Sequence, residues 1–313
     1  MIRSILLPLD GSQFAFGALP YATTIARGAG ARLELVTVTA DVAAQETDGD
    51  EKRFAPDDST YDMQEWSPEA VAARLRSEGL SVGTHVYVGD AAGEIVMAAD
   101  ALGADLVVMA THGRTGLGRW LFGSVADGVL RQAGTPVLLV PPYTPPWTAA
   151  ELARGPRRVL VPLDGTDLSE AALEPAAALA AAGGAEVRLL RVAAPTPPSA
   201  VVAAGGGEAT ASAAVVPMPS AEADPAVEAV EEYLEDAAAR IRGRVRAVDV
   251  DTELGEPEAA IVAAARAWGA HAIAMATHTH RDPVAGTLGR RATRVLRSLE
   301  IPALLVRPTA LHV

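Results

Sequence analysis

Apolar residues in this chain fall into two kinds of stretch. "SILLPL" (4–9), "DLVVMAT" (105–111) and "TPVLLV" (135–140) are continuous apolar runs, whereas "RLELVTV" (32–38) and "SVGTHVYV" (81–88) alternate apolar with polar. Both patterns suit strands, the first buried on two faces and the second on one. Between them, "SQFAFGALPYATTIARGAG" (12–30), "GEIVMAADALGA" (93–104) and "SVADGVLRQAG" (124–134) read as helices. Asp10 or Ser12 can cap the first of these and Gly28 or Gly30 can end it. Ser67-Pro68 opens another helix by placing a cap before a proline at the first helical position. Strands apolar on both faces and separated by helices imply a parallel sheet covered on both sides.

The pattern occurs twice. A shift of 166 residues aligns 89–112 with 255–278 at twelve identical positions of 24, and a shift of 154 aligns "ILLPLDGS" (5–12) with "VLVPLDGT" (159–166). An internal duplication follows. The second copy repeats the helix start as Asp224-Pro225 and the alternating strand as "VRAVDVDTEL" (245–254). The acidic stretch 39–66 and the Ala-, Gly-, Pro- and Ser-rich stretch 193–223 occupy equivalent places and read as inserted loops. The expected architecture is α/β, two tandem doubly wound domains each with a five-stranded parallel sheet: residues 1–143, a Pro-rich linker at 144–156, and residues 157–308.

Composition narrows the function classes. The 313 residues carry a formal charge of −13, which argues against nucleic acid or an anionic membrane as the principal partner. Much of it is local, since 41–65 holds nine acids against Lys52 and Arg53. Cysteine is absent, removing disulfides, thiolate catalysis and Cys-ligated zinc. Lys52, the only lysine, lies outside any Gly-Lys-Ser/Thr pattern, so a Walker-type phosphate loop is missing. No apolar run approaches a membrane span or a signal-peptide core, and a cytoplasmic location is expected.

The candidate chemistry lies where strands end. In doubly wound sheets ligands sit beyond the carboxyl ends of the strands, near the point where strand order reverses. "LLPLD" puts Asp10 at that lip, and "VVMATHG" feeds a glycine-punctuated loop that returns to a helix through Gly123-Ser124. Free N–H groups and a hydroxyl at a helix start suit a phosphate, with Arg114 and Arg119 able to add charge. Asp10, an acceptor, suits a ribose hydroxyl, an adenine amino group or magnesium. Each element also has a plain structural use: Asp10 can shape a turn, His112 can be a satisfied loop histidine, and Trp120 and Phe122 can anchor the loop. His278 and His280 lack a third metal ligand.

Taken together, these residues resemble the universal stress protein family, in particular its nucleotide-binding branch. The family's ATP signature is glycine, two residues, glycine, nine residues, glycine, then Ser or Thr. Ala110, Gly113, Gly123 and Ser124 fall at that spacing, with alanine replacing the first glycine. Carried onto this sequence, the resemblance implies ATP, with Mg2+, held by Pro8, Leu9, Asp10 and Val38 at the first two strands, by Met109 and Ala110, by His112, Gly113, Arg114 and Gly116 in the loop, and by Gly123, Ser124 and Val125 at the helix start. It also implies strand order 3-2-1-4-5 and pairing of two domains through their last strands, "PVLLV" with "PALLV". That gives an internal pseudo-dimer, able to pair again as a homodimer.

The second copy departs from the signature. Ala276, Thr279, Gly289 and Arg290 take the four positions, so a β-branched residue and a long cation replace Gly113 and Ser124. Triphosphate binding there is expected to be weak or lost, although Asp164 survives and Arg290, Arg291 and Arg294 offer positive charge for another anion. Three functions stay open: a stress-response protein regulated by ATP, a slow ATPase or phosphotransferase, and an interaction module with protein partners that needs no nucleotide.

Overall fold

The computed structural model describes residues 1–39, 67–111, 123–141, 155–193, 225–277, 290–299 and 301–308. The first half runs β1 (Ser4–Pro8), α1 (Gln13–Gly17), α2 (Leu19–Ala29), β2 (Arg32–Thr39), α3 (Pro68–Ser77), β3 (Val82–Val88), α4 (Ala91–Ala101), β4 (Leu106–Ala110), α5 (Ser124–Gln132) and β5 (Val137–Val140). The second repeats it as β6 (Arg158–Pro162), α6 (Asp167–Glu170), α7 (Leu173–Gly183), β7 (Glu186–Ala193), α8 (Pro225–Ala239), β8 (Ala247–Leu254), α9 (Pro257–Trp268), β9 (Ala272–Ala276), α10 (Arg290–Ser298) and β10 (Ala303–Val306).

Local chemistry sets the helix ends. Ser67 Oγ accepts from Ala70 N–H at 3.1 Å and Pro68 takes the first helical position, as the cap pattern requires. Asp90 caps α4 through Gly93 N–H at 2.9 Å, and Gly30 ends α2 in the left-handed conformation at φ 64°. The segment 12–30, expected as one helix, is two: Ser12 caps α1, and the chain breaks at Ala18 before α2. Pro20 has no N–H for the Phe16 carbonyl and its ring crowds that oxygen, which stops a continuous ladder. Pro175 stands in the same relation to Ala171, between α6 and α7.

Strand alternation splits the core into two layers. Ile5 and Leu7 face α2 and α3 on one side, while Leu6 faces α4 and α5 on the other, and all three are fully buried. The order is β3-β2-β1-β4-β5-β10-β9-β6-β7-β8, so each half has the expected 3-2-1-4-5 arrangement with parallel neighbours. The halves join where β10 runs antiparallel to β5, with Leu304 opposite Leu138. A ten-stranded sheet results, and the edges "PVLLV" and "PALLV" cover each other.

A second contact reinforces the seam. Helices α2 and α7 pack across it on one face of the sheet, and a side chain at Gly28 would overlap the Ala182 carbonyl oxygen. Gly155, at φ 72°, and Pro156 fold against Thr24 and Gly183; the rest of the Pro-rich segment, 142–154, lies outside the described residues.

The outer strands carry one polar cluster in each half. Glu34, 5% exposed despite its place in an alternating strand, bonds Arg32 and, at 2.9 Å, His85. Gly83 opposite leaves room for that carboxylate. At the matching register of the second half the charges are reversed: Arg188 pairs with Asp249 at 2.6 Å and Asp251 at 3.2 Å beneath the Trp268 ring. Among the described residues no helix is long and apolar enough to cross a membrane.

Candidate functional site

Strand order reverses between β1 and β4, which are adjacent and parallel although β2 and β3 lie on the far side of β1. The carboxyl ends of β1, β2 and β4 therefore open on one edge, the position at which doubly wound sheets hold ligands. Pro8 ends β1. Leu9 N–H donates to the Val36 carbonyl at 2.8 Å, extending the pairing with β2 by one residue and delivering Asp10 exposed at the lip. One Asp10 oxygen, Oδ1, accepts from Ser12 N–H at 2.9 Å, so this carboxylate does shape the turn into α1. Gly11 makes that turn at φ 78°, and among the described residues nothing stands within 4 Å of where its side chain would be.

The other wall comes from β4 and α5. Met109 is 5% exposed, Ala110 is half-buried, and Thr111 beyond them is buried. The Thr111 carbonyl accepts from Gly123 N–H at 2.8 Å, which closes the base of the loop and starts α5. Gly123 is the cap residue and no side-chain hydrogen bond caps the helix among the described residues; Ser124 is exposed and Val125 half-buried at its first turn. The first N–H groups of an α-helix have no partner within the helix, and the helix dipole adds positive character there.

The predicted residues thus divide. Pro8, Leu9, Asp10, Val38, Met109, Ala110, Gly123, Ser124 and Val125 lie on strand ends and a helix start along one edge. The Leu9 and Met109 side chains belong to the two core layers, which leaves only their main chains toward this edge. His112, Gly113, Arg114 and Gly116, with Arg119, Trp120 and Phe122, lie outside the described residues.

In the second half the lip is built differently. Asp164 Oδ1 accepts from Thr166 Oγ at 2.6 Å and Thr166 N–H at 3.1 Å, and Ser169 packs beside it. Burial works to raise the Asp164 pKa, but these hydrogen bonds and the Arg191 charge outweigh it and hold the carboxyl below its ordinary value. Arg191 lies over Gly165 and against Tyr233 of α8, its guanidinium carbon 5.3 Å from the ring centroid. Burial and the neighbouring Glu170 carboxylate push the Tyr233 phenol up to about 12. Neither Arg191 nor Tyr233 was marked by motif spacing. The signal available was a register comparison, in which Arg191 follows Leu190 as Thr37 follows Val36. Ala276 ends β9 half-buried, whereas Thr279 and Gly289 and the side chain of Arg290 lie outside the described residues.

Two doubly wound units joined through their fifth strands, each with an aspartate just past the end of its first strand, define a tandem α/β protein. The profile of the universal stress protein family matches residues 1–141 and again 155–307, and the chain belongs to that family. A universal stress protein of Methanocaldococcus jannaschii is 32% identical over 150 residues, covering 45% of this chain and 82% of the relative. The fold is shared end to end with a universal stress protein from Archaeoglobus fulgidus DSM 4304, at TM-score 0.65 and 21% identity over 97% of this chain and 98% of the other. A Pseudomonas aeruginosa PAO1 protein of unknown function has TM-score 0.63 and 17% identity, covering 98% and 93%.

Proposed function

We propose that the protein is a cytoplasmic regulatory protein of the universal stress type that holds one ATP in its N-terminal half, and that nucleotide state alters its shape or its choice of protein partner. The observation that carries the reading is that Asp10, at the lip of β1, and the start of α5 at Gly123-Ser124, which no described side chain caps, both lie on the edge where strand order reverses. An acceptor at one end and helix N–H groups with a hydroxyl at the other match a nucleoside and its phosphates. The spacing of Ala110, Gly113, Gly123 and Ser124 supplies the phosphate-loop pattern between them. Magnesium would enter as the companion of the triphosphate.

Native mass spectrometry of the intact chain with magnesium ATP tests the reading by counting nucleotides per chain. One is expected, and Asp10→Ala and Ser124→Ala should each weaken its binding. Saturation at about 100 times the dissociation constant should stabilise the chain by about 2.7 kcal/mol. No bound nucleotide and no thermal shift would refute it. Turnover that disappears in Ser124→Ala would favour the ATPase or phosphotransferase reading instead.

A further inference from the structure

The two lips share one backbone plan and differ in what fills the space beside the glycine. Gly11 and Gly165 follow the two aspartates, turn with nearly the same φ, 78° and 81°, and precede the capping Ser12 and Thr166. The space beside Gly11 is clear of described residues. At Gly165 the same direction is filled: a side chain there would overlap Arg191 Nη1 and stand 3.1 Å from its guanidinium carbon and 3.2 Å from Nη2. The β1–β2 and β6–β7 registers correspond, Pro8 opposite Val36 and Pro162 opposite Leu190, so the next residues, Thr37 and Arg191, occupy equivalent positions. Threonine at that position is too short to cross the lip, whereas arginine reaches it.

We infer that Arg191 is a built-in occupant of the C-terminal cleft, its guanidinium filling the space beside Asp164 and Gly165 that a nucleoside would need, and that this side chain sets the nucleotide selectivity of the two halves. The inference uses the ligand edge of the proposed function but concerns the half in which no ligand is proposed. Three features favour this placement. Its plane packs on the Tyr233 ring, its charge favours the Asp164 carboxylate, and Gly165 leaves it room. Tyr233 lies beside Glu170, which pairs with Arg240. A ligand entering this cleft must move the guanidinium off the Tyr233 ring and away from the Asp164 charge, so apparent affinity is the intrinsic affinity multiplied by the fraction of time the arginine is displaced. The altered loop residues Thr279 and Arg290 act on phosphate; Arg191 acts on the nucleoside end, and the two defects are separable.

Adenosine, which has no phosphate, is therefore the probe. Its stoichiometry on the intact chain is counted by native mass spectrometry and equilibrium dialysis for the wild type, for Arg191→Thr, which copies the first half, and for Arg191→Gln. Circular dichroism melts show that each variant is folded. Both variants should bind one adenosine more per chain than the wild type. A rise from one to two supports both readings. A rise from zero to one sustains the role of Arg191 while the nucleotide reading of the first half fails. An unchanged count in folded variants overturns the inference, and so does a wild-type chain that already binds two.

Discussion

Gly28 tests the seam between the halves by a single added methyl. Its side chain would overlap the Ala182 carbonyl oxygen and lie 2.8 Å from the carbonyl carbon, about 1 Å inside the usual contact distance. The obstacle is main chain, so no rotamer change relieves it, and α2 must move away from α7 along a contact both helices use. Overpacking of this kind costs about 1–3 kcal/mol, and the rigid target puts Gly28→Ala at the upper end. Replacing glycine within a helix returns about 1 kcal/mol, leaving a net loss of about 2 kcal/mol. For halves of this size that lowers Tm by about 4–8 °C. Gly17→Ala in α1 is the control, because nothing described stands within 4 Å of its added methyl, and it should be neutral or stabilising. Thermal melts of both variants by circular dichroism decide the matter. If Gly28→Ala melts with the wild type or above it, the close approach of α2 and α7 is not part of the native seam. Ala182→Gly should not rescue it, since the clash is with a carbonyl that any residue retains.

Other outcomes follow from the same contacts. Glu34→Ala leaves Arg32 and His85 without their shared acceptor and should cost about 1–3 kcal/mol in urea unfolding. Asp90→Ala removes the α4 cap and should cost about 1 kcal/mol, much of which Asp90→Ser should restore. The Asp164 pKa is lowered on folding, so its contribution is complete above the unfolded value near 3.8 and is lost as pH falls through the folded one. Asp164→Asn should flatten that part of the acid limb of stability against pH. The Tyr233 value is raised from 10 to about 12, so unfolded chains lose this proton first on raising pH, and stability falls between those values; Tyr233→Phe should remove that part of the alkaline decline.

Much of the architecture is written in local patterns. Continuous apolar runs became β1, β4 and β5, buried on both faces, and Ser67-Pro68 began α3 because cap and proline chemistry act within one turn. The duplication exposed the tandem plan, since homologous halves share a register. The break at Ala18 was legible in Pro20 but is overridden in a reading by helical periodicity alone. Glu34 looked outward by alternation, yet the sheet is covered on both faces and the carboxylate is buried beside a glycine that only the folded register supplies. Arg191 was invisible to motif spacing for a related reason: its partners Gly165 and Tyr233 meet it only across strand and helix packing.

The antiparallel pairing of β5 with β10 has a consequence for how the halves can diverge. In an assembly of identical subunits every substitution is inherited twice, so no change can be confined to one side. Here the seam lies within one chain; its formation is first order, dilution does not part the halves, and subunits are not exchanged. Each half can then vary alone while the other preserves the shared sheet. Threonine at 37 and arginine at 191, and glutamate at 34 and arginine at 188, are two such divergences fixed within a single inheritable unit.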